Sequence, residues 1–215
     1  MKRPLRGGMP LAVTLPLHID LRLRPRRRRW RRLAVCLLIA LAAALLTMGF
    51  WLPVKAELAQ QLLNRAWERT AAGDPAAKPW PWADTHPVAR LVLPGRDERL
   101  TVLAGASGRN LAFAPALLDG SVDPGKPGVS VIAGHRDTHF RPLATLALGD
   151  ELVVERPDGS ALTYTVTALD VVDSARAQLS LDADESIVVL VTCWPFDAVT
   201  VGGSWRYLVT ARVRI

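Results

Sequence analysis

The stretch LVTCWPFDAV, Leu190 to Val199, puts a cysteine where an apolar, strand-like run stops and Pro195 forces a change of direction. Such a cysteine can do covalent chemistry if a base or cation lowers its thiol pKa and if donors await the oxyanion of an acyl intermediate. It can equally be a small buried hydrophobe. Three histidines follow the apolar N-terminal segment as possible partners: His86, His135 and His139. His86 lies among prolines and tryptophans, a poor place to hold a base rigidly. His135 ends another apolar run in VIAGHRDTHF, where Gly134 permits a turn or a close backbone approach. His139, further along the same polar loop, is a candidate orienter or substrate contact. Arg206, in GGSWRYLVTARV, enters a strand soon after Cys193, with room between them for a loop and a return. It is the candidate cation for the oxyanion; Arg136, beside His135, is the rival and reads more naturally as a surface or salt-bridge residue. No pair of histidines has zinc-site spacing with cysteines or acids, so metal catalysis is not expected. Asp182, Asp184 and Glu185 form an acidic loop whose ordinary fate is solvation.

The elements that must position these residues are short and β-rich. VARLVLP (88–94), RLTVLAG (99–105), GVSVIAGH (128–135), DELVVERPDG (150–159), ALTYTVTALDVVD (161–173), SIVVLVTC (186–193) and SWRYLVTARVRI (204–215) read as strands. LPGRDE, VDPGKPG and RPDGS between them are turn chemistry. Brief helical candidates occur only near LAFAPALLDG and FRPLATL. Seven or eight strands in this span predict a mainly β domain, a closed or partly closed barrel or a sandwich. His135 and Cys193 both end apolar runs, and two strand ends of a barrel can meet at one rim.

The N-terminal part has a different texture. Residues 1–32 carry 11 Lys/Arg against the single acid Asp20, whereas residues 33–215 carry 16 against 19 Asp/Glu. The net charge of +7 therefore belongs to the tail, and a nucleic-acid-binding function is not expected. Leu33 to Val54 is a run of 22 residues without a charge, long enough as a helix to cross roughly 30 Å of hydrocarbon. RRRRWRR, Arg26 to Arg32, precedes it, so the positive-inside rule puts the N-terminus in the cytoplasm and everything after Val54 outside. A cleaved signal peptide fits less well, because GFWLPVKAEL offers no small-residue cleavage site. With Cys36 in the span and Cys193 outside, the two cysteines have no reason to pair. An unpaired exported thiol is unusual where disulfides are favoured. The predicted organisation is a basic cytoplasmic tail (1–32), an anchor (33–54), a helical stalk and Pro/Trp-rich linker (55–87) and a β domain (88–215). In the stalk, Leu58, Leu62, Leu63, Ala66 and Trp67 have helical spacing, and the linker is expected to lay its indoles on the domain.

The joint pattern resembles the sortases, membrane-anchored cysteine transpeptidases. The family's cysteine motif, Thr-Leu-x-Thr-Cys, reads here Val189, Leu190, Val191, Thr192, Cys193, departing only at the first position, a strand interior. Gly134 to Phe140, GHRDTHF, resembles the histidine motif of class D and related sortases. PWPWAD and GSWRY look most like the proteobacterial group called class GN, or the marine proteobacterial type. The resemblance covers about residues 33–215. It implies an eight-stranded sortase-type β-barrel with short helices behind a single transmembrane helix, and cleavage of an LPXTG-like C-terminal sorting signal between Thr and Gly. Carried over residue by residue, Cys193 matches the nucleophile, His135 the general acid/base and Arg206 the transition-state stabiliser. Thr192, His139 and Trp194 beside them are candidates for substrate binding or orientation. No cofactor or metal is implied. The implied partners are an exported protein bearing the signal, an amine acceptor and the inner membrane, with the catalytic domain in a periplasm. Two other readings fit less well. An L,D-transpeptidase-like enzyme would want a glycine before its cysteine and an arginine two residues after it, where Thr192 and Pro195 stand. A non-catalytic anchored β domain would make Cys193 core.

Overall fold

A computed structural model describes residues 25–96, 98–198 and 202–214. Most of the predicted cytoplasmic tail, part of the loop expected to carry the chain from Cys193 to Arg206, and the last residue of the final predicted strand lie outside the described residues. The chain forms two compact units, residues 1–50 and 51–215. The described part of the first is the opening half of helix α1, Pro25–Ala71. Its Ala- and Leu-rich run favours helix over any strand, and large apolar side chains such as Leu37, Leu46 and Met48 stand exposed. Among the described residues α1 is the one helix long and apolar enough to cross a membrane.

In the second unit α1 continues to Ala71 and buries one face. Ala59, Leu63, Ala66, Trp67 and Thr70, at the 4-3-1-3 spacing of a helical stripe, are nearly inaccessible. Leu63 packs with Leu103, Ala114 and Ala116. The stripe is rotated from the one the sequence suggested: Leu58 is 53% exposed and Leu62 only half-buried. The stalk and its preceding span are one helix, which runs through Pro53. The Pro/Trp linker does pack, with Ala77 and Ala83 buried and the Trp80 ring edge-on to Phe113 at 4.9 Å, but Trp82 remains 81% exposed.

Eight strands follow: β1 (Pro87–Leu93), β2 (Glu98–Ala104), β3 (Ala116–Leu117), β4 (Gly128–Ala133), β5 (Glu151–Glu155), β6 (Ala161–Asp173), β7 (Ser186–Cys193) and β8 (Trp205–Val213). They close a barrel in the order β1-β2-β3-β4-β7-β8-β6-β5. Pairs β2·β3 and β4·β7 are parallel and the rest antiparallel. The sequence did not suggest β3, because the helical spacing of LAFAPALLDG hides two strand residues behind the short helix α2, Gly108–Leu111. FRPLATL becomes a single 3₁₀ turn over Arg141–Thr145, which Pro142 at its start favours.

Strands β4 and β7 read as nearly unbroken apolar runs because both their faces are covered, as parallel strands require. Ile132, Val188 and Leu190 point into the barrel core with Phe140, Leu152 and Tyr164. Val129, Val131, Ile187 and Val189 face outward under Leu181 and Ala183 of the β6–β7 connection. That connection is pinned to the start of β4, where the Val129 and Gly128 amides donate to the Leu181 and Glu185 carbonyls at 3.0 Å each. Glu185 of the acidic loop is itself paired with Arg212.

Candidate active site

The register of three adjacent strands brings the sequence-predicted residues to one end of the barrel. Across the antiparallel β7·β8 pair, Cys193 stands directly opposite Arg206. Across the parallel β4·β7 pair, Ala133 is level with Val191 and the Gly134 amide bonds the Val191 carbonyl, so His135 leaves β4 beside the end of β7 that carries Cys193. Side chains alternate along a strand. Val189 and Val191 of β7 and Leu208 of β8 belong to the outer cluster, which puts Cys193 and Arg206 on that same outer face. The thiol therefore sits at the end of an apolar outer floor, half-exposed and without a disulfide.

The histidine loop is held to this level by local bonds. The Gly134 amide donates to the Val191 carbonyl at 3.1 Å, and Thr192 Oγ1 donates to the Gly134 carbonyl at 2.8 Å. Thr192 is 2% exposed, so its hydroxyl joins the two strand ends rather than facing solvent. The His135 carbonyl accepts from the Phe140 amide at 3.0 Å, closing a tight loop whose ring, Phe140, is fully buried. Gly134 is required there, since a Cβ would stand 2.7 Å from the Phe140 ring. This leaves the His135 imidazole exposed at the rim.

His139 is half-buried behind it, with Nδ1 3.3 Å from Thr138 Oγ1 and a bond to the Phe113 carbonyl. Burial first, and then the charge of His135, hold His139 below the ordinary imidazole pKa, while the Phe113 carbonyl opposes them. His139 is thus suited to being a neutral hydrogen-bonding residue near neutral pH.

The loop after β7 is organised by side chains from elsewhere. Arg136, which the sequence suggested as a surface residue, is 5% exposed and donates to the Pro195 carbonyl at 2.7 Å and the Ala198 carbonyl at 3.0 Å. It also meets Asp137 at 3.2 Å. No local signal marked this clamp, because its acceptors are backbone oxygens about sixty residues away. Trp194 stacks on Tyr207 at 5.6 Å, and Phe196 meets both rings edge-on. Burial raises the Tyr207 phenol above its usual pKa. Arg206 Nη1 donates to the Gly203 and Trp205 carbonyls at 2.8 and 2.9 Å, and among the described residues no carboxylate pairs with it. Among the described residues no three His, Cys, Asp or Glu side chains gather as a metal site.

A half-exposed thiol, an imidazole and a guanidinium at one end of a barrel can form and resolve a thioester if they converge on one carbonyl. Comparison with known proteins gives the lineage of this arrangement. A family model for the sortase domain matches residues 91–214, more than half the chain and all three residues. The chain belongs to the sortase family. Sortases are cysteine transpeptidases. Sortase D of Bacillus subtilis is 29% identical over 110 residues, and the chain spans about half the length of this curated relative, 55%, using 51% of its own. Among solved structures, sortase C-1 from Actinomyces oris is 31% identical with a TM-score of 0.53, the match covering 60% of this chain and 75% of that one. Sortase A from Corynebacterium diphtheriae is 25% identical with a TM-score of 0.56, over 73% of this chain and 84% of that one. The closed eight-stranded barrel is thus the sortase fold.

Proposed function

We propose that this sortase is a single-pass, membrane-anchored transpeptidase that cleaves an LPXTG-like sorting signal on an exported protein. The observation that supports the reading is the pairing of Cys193 with Arg206 across β7·β8, beside the end of β4 from which His135 follows. The Cys193 thiolate attacks the carbonyl carbon of the signal's threonine, and Arg206 donates to the oxyanion or to substrate backbone beside it. The C–N bond then breaks, protonated His135 gives its proton to the leaving amine, and a thioester on Cys193 remains. An incoming amine attacks the thioester, with His135 taking its proton, and the thiol is regenerated; water in place of the amine gives hydrolysis. The outer apolar cluster of Val129, Val131, Ile187 and Val189 holds the β6–β7 connection against the strand that ends in Cys193. The helix over Leu33 to Val54 anchors the enzyme, and the arginine cluster before it keeps the N-terminus cytoplasmic. Enzyme and substrate held in one membrane meet at raised effective concentration. In a Gram-negative cell the catalytic domain is then periplasmic.

Trapping the acyl-enzyme tests this directly. LPXTG-like peptides should add to Cys193 as a hydroxylamine-labile thioester visible by mass spectrometry, and the Cys193→Ala protein should show none. A folded wild-type protein whose thiol reacts with alkylating reagents but with no such peptide would rule out this acyl donor. A thiol inert to alkylation as well would favour a binding domain.

A further inference from the structure

The rotated packing of α1 leaves a groove outside the site described so far. Leu58 and Leu62 of α1, Trp80 and Trp82 of the linker and Phe113 after α2 line a mainly apolar groove of about 490 Å³, with Lys55 at one end. Leu58 and Trp82 are among the more exposed large apolar side chains of the domain, at 53% and 81%. The charges at its rim are partly neutralised, since Arg109 pairs with Asp84 at 3.1 Å. A continuous apolar surface of this kind marks an interaction site.

Both ends of the groove are placed. At one end Phe113 contributes its ring to the wall and packs on Trp80, while its carbonyl accepts from Gln60 Nε2 at 2.7 Å; Ala116, three residues further on, pairs with Ala133, two residues before His135. That end therefore lies on the His135 side of the candidate active site. At the other end Lys55 is the first charged residue after the uncharged run that ends at Val54. From Lys55 to Leu62 the helix rises about 10 Å, which about three residues of extended peptide would span.

We infer that this groove holds the apolar polypeptide segment that follows the scissile bond, on the leaving-amine side of the substrate. The inference rests on the proposed acyl transfer, in which His135 protonates the leaving amine, so the departing chain leaves the site on the side of His135. A substrate held in the same membrane must then run from His135 toward the membrane end of α1, and the groove follows that course. Its walls suit leucine, valine and alanine side chains, and its rim offers no unpaired acid to repel them.

Two LPATG-based peptides distinguish the groove from the chemistry: one ending just after the glycine, the other extended there by five apolar residues. With the full chain in detergent, the extension should raise kcat/KM about tenfold, the scale of burying one or two apolar side chains. Leu58→Gln and Trp82→Ala, both at exposed positions, should erase that gain and leave cleavage of the short peptide unchanged. Equal cleavage of both peptides by the wild type, or equal losses on both in the variants, overturns the inference. As a measurement independent of turnover, a photoreactive benzoylphenylalanine at position 82 in the Cys193→Ala protein should crosslink to the apolar extension. Crosslinking only to the LPATG portion, or to neither portion, overturns the groove assignment even if the short peptide is cleaved. Failure of both peptides to acylate Cys193 with the crosslink intact would instead overturn the proposed acyl donor.

Discussion

The loop after β4 closes on itself: Gly134, His135 and Phe140 are tied within seven residues by backbone bonds and by a ring packed against a glycine. The loop after β7 is held from outside, by Arg136 on its carbonyls and by Tyr207 under its tryptophan. Both leave the same barrel rim, one carrying the imidazole and the other joining the thiol to the guanidinium. The difference sets a loop fixed by its own packing beside one fixed by side chains from elsewhere. Local ties resist change through packing, whereas remote ties can loosen without unfolding the barrel.

Removing the functional groups themselves gives the largest expected effect and tests whether both loops serve the reaction. His135→Ala should lower kcat/KM by about 10²–10⁴-fold, the range for losing a general acid. Arg206→Ala should lower it by about 10²–10³-fold, mainly through kcat, as for loss of an oxyanion donor. If Arg206→Ala behaves like a change at exposed Arg176, the return loop does not build the site.

The next two substitutions separate the loops by what they damage. Gly134→Ala should cost about 1–3 kcal/mol of stability, because Phe140 has no empty space to move into. Arg136→Met should change the melting temperature less but lower kcat/KM about tenfold, which corresponds to about 1.4 kcal/mol in the transition state. Calorimetry beside steady-state kinetics checks both, and the reverse ranking would break the contrast between local and remote ties.

A pH effect on His139 is the smallest. Its folded pKa lies below 6.5, the ordinary value, so the unfolded chain takes up the proton first as pH falls. Stability contributed by the neutral imidazole is complete above pH 6.5 and declines as pH drops from there toward the lower folded value. His139→Gln should therefore show a smaller drop in melting temperature between neutral and mildly acidic buffer than the wild type. Identical drops would mean that burial of this ring does not govern its protonation.

Much of the barrel is legible in the sequence because β-branched runs and Gly/Pro turns act locally, and β4 and β7 announce themselves by apolar character on both faces. The two residues of β3 are not legible, since their strand character comes only from pairing with Leu103, Ala104, Ile132 and Ala133. Cys193, His135 and Arg206 could be suspected from their strand-end positions, but the sequence alone leaves their common level open, because level is a property of register. The ion pair of Arg136 with Asp137 is legible in the sequence, but its burial and its hold on the β7 loop are not, because those partners are carbonyls, which carry no side-chain signature. In the stalk Leu63, Ala66 and Trp67 are buried as their spacing predicts, while Ala59 replaces Leu58 because both fit a helical period almost equally well and Leu63 packing against the barrel decides between them.

The strand bearing the thiol is paired with β4 from Ser186 to Val191 and with β8 from Ile187 to Cys193, inside a closed barrel. It offers no open edge, so an extended peptide cannot bind here by joining the sheet as an added strand, the common way of capturing peptide backbone. The backbone of any bound peptide must find its donors and acceptors in side chains and loop amides. Sequence selectivity can then be retuned by exchanging loops above an unchanged barrel.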